Sequence, residues 1–137
     1  MGKFEEVIKP ALMNKTFAEL NAEVLVESAK EEGNNLLAEA LKNNQLRKFY
    51  DSVKQIERRT FRMAGTKALN QDILAQLVFL RPHLANAAEK ARGKPEEYAM
   101  SRLHQVLDIC LIPSVLKTKD DLSRFVKYFE AIVAYHK

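Results

Sequence analysis

A single cysteine, Cys110, leaves the chain unable to close an internal disulfide, which excludes the small stapled scaffolds of secreted proteins. Glycine and proline are sparse, four of each in 137 residues, too few to punctuate a hairpin-rich β fold. No stretch of about 18 uncharged apolar residues occurs, so nothing reads as a membrane span. The opening Met1-Gly2-Lys3-Phe4-Glu5-Glu6 lacks the apolar centre of a secretory signal, and Glu6 stands where a myristoylation signal needs Ser or Thr. The cytoplasm is the expected compartment. Histidine is limited to His83, His104 and His136; with Cys110 they offer no ligand spacing, and neither a metal nor another cofactor is expected. There is no glycine-rich phosphate loop and no nucleophile elbow. The pairs Glu31-Glu32, Glu96-Glu97 and Asp120-Asp121 sit at predicted helix ends, where capping and dipole effects account for them. Cys110 lies between Ile109 and Leu111, an apolar setting that suits packing and blunts a thiol. No catalytic residue is expected, and the chain does not read as an enzyme.

What the chain does have is helical periodicity. Phe4, Val7, Ile8, Ala11 and Leu12 predict a short opening helix that Pro10 ends or kinks. Thr16-Phe17-Ala18-Glu19 has capping-box form and predicts a helix running to about Glu32, closed by Gly33 and Asn34. Leu36 to Leu41 reads as a further short piece. A long amphipathic segment covers Asn43 to Arg62, and Ala64 to Lys67 reads as a break. Asn70 caps the next helix, whose stripe runs Ile73, Leu77, Leu80, Leu84, Ala87, Ala88, Ala91, with Pro82 predicting a kink or a fresh start at Arg81. Arg92 and Gly93 end it. Pro95 fits a first helical position before Met100, Leu103, Leu107, Cys110 and Leu111. Thr118 opens the last helix, with Leu122, Phe125, Val126, Phe129, Ile132 and Val133 inward. The fold class is therefore all-α: one domain over residues 1–137, a compact bundle of about five main helices with one or two short extras.

Charge is distributed unevenly. Residues 41–67 hold eight Lys/Arg against two acidic residues, a local balance of +6, while residues 1–40 hold four Lys against eight Glu, a balance of −4. The acidic first 40 residues are either part of the bundle, loosely packed on it, or exchanged between protomers. Within Asn43–Arg62, Leu46, Phe49, Tyr50, Val53 and Ile56 draw one apolar stripe, at ~3.6 residues per turn. Arg47, Lys54, Arg58 and Arg62 fall together on its flank, a row of cations about 22 Å long at ~1.5 Å per residue. On the same projection Lys48 and Arg59 lie on the side away from the stripe. A row of one sign points to a polyanionic partner, and a solvated helix face is the plainer alternative. Tyr50 reads as core. Phe61, beside Arg58 and Arg62, suits either packing or stacking on a base.

Three segments, Gln45-Leu46-Arg47-Lys48-Phe49-Tyr50, Leu80-Arg81-Pro82-His83-Leu84-Ala85-Asn86-Ala87-Ala88 and Phe129-Glu130-Ala131-Ile132-Val133-Ala134-Tyr135-His136-Lys137, resemble in order and spacing the small helical subunit of the type III-A CRISPR interference complex, the Csm complex. The resemblance covers about residues 43–137. It implies a non-catalytic RNA-binding subunit that self-associates, sits among other Csm subunits and lines the channel holding guide RNA and target RNA. Carried over by position, it adds Lys48, Arg81, Lys90 and Arg92 to the row, with Arg47 common to both. The chain departs from the family pattern at Asn86, where an aromatic is frequent, and in its Glu89-Lys90-Ala91-Arg92 ending. Grip on the backbone would come without sequence choice, the sequence being read by guide pairing. The alternative is a helical protein-interaction module or dimer with no nucleic-acid role, its basic face meeting an acidic protein.

Overall fold

The computed structural model describes residues 2–62 and 68–137 and, among them, consists of helices without strands. The predicted break at Ala64 to Lys67 lies outside the described residues. Six helices follow in order. α1 combines a π-helical stretch, Phe4–Ile8, with a last α turn, Lys9–Ala11; then come α2 (Ala22–Ala38), α3 (Asn43–Arg62), α4 (Gln71–Lys90), α5 (Glu97–Cys110) and α6 (Lys119–Tyr135). A 3-10 turn at Phe17–Glu19 precedes α2.

α6 is the central beam. Leu122, Phe125, Val126, Tyr128, Phe129, Ile132 and Val133 are all buried along it, against α2 on one side and α3 on another. Phe17 meets the Phe125 ring edge-on at 5.4 Å, and Tyr50 meets Phe129 likewise at 5.6 Å. Thr118 and Asp121 form the capping box at its start. Burial pushes the Asp121 carboxyl up, but backbone N–H donors from Ala18, Lys117 and Thr118 and the Thr16 hydroxyl outweigh it and hold the group below its ordinary value.

The second helix departs from its sequence signals. The Thr16–Glu19 capping box forms, but it closes only the 3-10 turn; α2 starts afresh with Asn21 capping the Val24 N–H. α2 then runs through Gly33 and Asn34 rather than ending there, absorbing the separate piece expected near Leu36. Gly33 serves a close crossing instead: a Cβ there would lie 2.6 Å from the Ile132 carbonyl oxygen and 2.8 Å from Tyr135 Cβ of α6. The helix ends at Ala40, a non-glycine residue at φ +70°. The Leu41 N–H donates to the Leu36 carbonyl and the Ala40 N–H to the Leu37 carbonyl, the double bond of a Schellman closure, with Leu36 and Leu41 buried. His136 Nε2 lies 2.7 Å from the Leu41 carbonyl oxygen and ties this turn to the end of α6.

Two proline expectations also change. α4 continues unbroken past Pro82, because buried Leu77 and Leu84 anchor the helix on either side of the missing backbone bond. α5 begins at Glu97, not Pro95. Gly93 turns the chain at φ +79°, and its N–H donates to the Glu97 carboxylate.

Residues before 40 pack onto this frame. Phe4, Ile8 and Phe17 are fully buried, and Arg102 of α5 reaches toward α1 and α2. Its guanidinium bonds both oxygens of Glu32 on α2, at 2.9 and 2.7 Å, pairs with Glu5 of α1 and stands 5.7 Å from the Phe4 ring centre. The Glu32 bonds are the main reason its pKa stands above the ordinary arginine value.

Three consequences are measurable by thermal and urea unfolding. Gly33→Ala destabilises by about 1–3 kcal/mol despite its better helix propensity, through overpacking, whereas Ala40→Gly stabilises by roughly 1 kcal/mol by relieving a left-handed alanine. Arg102→Leu destabilises more than the double change Arg102→Leu/Glu32→Leu, since the single change strands a buried carboxylate at about 3–5 kcal/mol.

Candidate nucleic-acid interface

α3 buries Leu46, Phe49, Val53, Ile56, Glu57 and Thr60, so its apolar stripe is the core face. Tyr50 is half-buried on Phe129, and burial holds its phenol above the ordinary value. Next to this seam runs the outer row. Arg47, Arg58 and Arg62 are exposed, with no hydrogen-bond or ion-pair partner for their side chains among the described residues. Lys54 differs: its ammonium is drawn 3.0 Å from the buried Glu57 carboxylate, a bond that raises its pKa. Phe61 is 57% exposed beside the two terminal arginines, so it is not a core residue.

The helical projection misplaced Lys48 and Arg59. Both face α4, which leans over that flank of α3. Arg59 donates to the Gln76 side chain at 2.6 Å, and Lys48 lines an open groove of about 420 Å³. The groove's α3 wall is Lys48, Phe49 and Ser52; its α4 wall is Leu80, His83, Asn86, Ala87 and Lys90. A smaller hollow of about 170 Å³ continues from it, sharing Lys48, Phe49, Ala87 and Lys90 and adding Gln45, Lys94 and Glu96. Gln45 donates to the Glu96 carboxylate at 2.9 Å, which closes this end and, after the carboxylate's backbone hydrogen bond, helps hold its pKa below the ordinary value. Lys48 and Lys90, on different helices, thus line one trough. Neither pairs with a carboxylate among the described residues.

Arg81 and Arg92 lie elsewhere. Arg81 points from the opposite flank of α4 to α5, its Nε 2.8 Å from Asp108 Oδ1, an oxygen that His104 Nε2 approaches at 3.9 Å. Arg92, just past α4, pairs with Glu89 at 2.8 Å, both exposed, and that bond raises its pKa. The eight predicted cations therefore fall into three groups. Arg47, Arg58 and Arg62 stand free on the ridge with Lys54 tucked beneath; Lys48 and Lys90 share the groove; Arg81 and Arg92 are ion-paired on the α4/α5 flank. Sequence reasoning missed the groove itself and its other polar members, Ser52, His83 and Asn86. For His83 and Asn86 a signal was present: with Lys90 they recur at helical spacing along α4. Cys110 is wholly buried and its thiol pKa is driven up by desolvation, as packing requires.

The first two of the three resembling segments are the two walls of this groove, and the third supplies Phe129 beneath Tyr50 and His136 beneath Leu41. A family model described as Csm2 Type III-A matches residues 19–137. The chain belongs to the Csm2 family. Csm2 is the small-subunit family of the type III-A Csm complex, and the match takes in α2 through α6, farther toward the N-terminus than the sequence resemblance reached. Comparison with curated proteins and with solved structures gave no match. On this Csm2 chain the open cations of ridge and groove offer fixed positive charge, and the groove adds neutral hydrogen-bonding groups. Among the described residues no helix is long and apolar enough to cross a membrane.

The pairing pattern ranks the cations. On a heparin column, Lys48→Ala and Arg58→Ala bring elution to lower salt than Lys54→Ala or Arg81→Ala, whose charges are already compensated. Equal shifts for all four would contradict the ranking.

Proposed function

We propose that this Csm2 chain is a non-catalytic, cytoplasmic subunit that holds the backbone of the guide–target RNA without sequence preference, in contact with other Csm subunits and with further copies of itself. The observation that carries the proposal is the convergence of Lys48 and Lys90 on one open groove beside a ridge of Arg47, Arg58 and Arg62, which have no partner among the described residues. Such cations meet phosphates and release counterions, which gives affinity indifferent to base identity. Lys54, Arg81 and Arg92 take a secondary part, since each first has to leave a carboxylate partner. The protein-interaction reading keeps a place on the α4/α5 flank. Phe79 and Tyr98 are exposed there at 66% and 59%, next to the ion-paired arginines, a surface better suited to a neighbouring subunit than to a polyanion.

The test is binding as a function of salt, in the assembled complex and with the full chain. Arg47→Ala together with Arg58→Ala weakens binding about equally across unrelated RNA sequences, and the log–log salt slope becomes shallower by ~0.7 for each phosphate no longer neutralised. Unchanged affinity and slope would remove the ridge from the interface.

A further inference from the structure

Phosphate contacts alone do not tell RNA from DNA, because both backbones carry the same charge. The α3/α4 groove contains more than charge. Beside Lys48 and Lys90, its walls carry Ser52, His83 and Asn86 together with Phe49, Leu80 and Ala87. The Ser52 hydroxyl donates to the Lys48 carbonyl oxygen at 3.1 Å, so its remaining capacity is to accept. Asn86 is exposed, and its amide, both donor and acceptor, has no partner among the described residues. A ribose 2′-hydroxyl is likewise both donor and acceptor, and it is the group that separates RNA from DNA.

Resting on the backbone-binding reading above, we infer that this groove is a ribose-selective subsite. Asn86 bonds a 2′-hydroxyl, with Ser52 and His83 beside it, while Lys48 and Lys90 hold the adjoining phosphate. The groups are placed for this division of labour. The lysines stand where the groove passes into the smaller hollow, and Ser52, His83 and Asn86 line the groove beyond them. A deoxyribose entering the groove displaces water from Asn86 and Ser52 without replacing its bonds.

The experiment uses the full chain at low salt with three labelled single strands of one mixed sequence, in RNA, DNA and 2′-O-methyl RNA form, followed by fluorescence anisotropy. RNA binds roughly fivefold more tightly than the other two, the value of about one neutral hydrogen bond. Asn86→Ala, an exposed position whose fold is checked by circular dichroism, brings that ratio close to one, and Ser52→Ala narrows it. Lys48→Ala and Lys90→Ala weaken all three strands and preserve the ratio. A ratio that Asn86→Ala leaves intact, or a loss confined to RNAs carrying one particular base, overturns the ribose assignment while the backbone reading stands. Lysine substitutions without effect overturn the backbone reading and the ribose assignment with it.

Discussion

Ring against ring, Phe17, Phe125, Tyr128, Phe129 and Tyr50 fix α6 between the N-terminal elements and α3. The other elements take their positions from this aromatic seam. It sets the rotation of α3 about its own axis through Tyr50, and that rotation decides which cations face water and which face α4. A small turn of α3 would bury Arg47 or lift Lys48 out of the groove. Tyr128 adds a directional bond, its buried hydroxyl 2.8 Å from that of Ser28 on α2. The positively charged surface therefore inherits its layout from an apolar contact on the far side of the same helix.

Much of the fold was legible because local and global signals agreed. The α3 stripe, the Asn70 cap and the Thr118 start of α6 each act within a few turns of one helix, where sequence spacing is a faithful guide. The failures share a different cause. Gly33 looks like a helix stop from its neighbours alone, but it exists for the backbone of α6, about 100 residues away. The true stop, Ala40, carries no local mark, because tertiary pinning by Leu41 and His136 stands in for the usual glycine. Pro82 was overruled by burial on both sides.

The site was half legible for the same reason. A helical wheel locates charge relative to its own helix, and the ridge of Arg47, Arg58 and Arg62 depends on nothing else. The groove depends on where a second helix lies, so Lys48 was placed on the outside when it stands at a seam. Pairing was equally hidden: Glu57, Asp108 and Glu89 decide which of Lys54, Arg81 and Arg92 are already engaged. Two of the sequence segments that carried the likeness to the Csm family are opposite walls of one cleft.

The Arg102 clasp has an evolutionary corollary. Its guanidinium grips Glu32 with two bonds inside the region matched by the family, and Glu5 outside that region is an additional hand. Deleting α1 would bare the greasy underside once covered by Phe4 and Ile8, yet it would orphan no ion in the interior. A leader fastened this way is modular in its electrostatics: a lineage is free to trade it for another apolar cover without rewiring the bundle beneath.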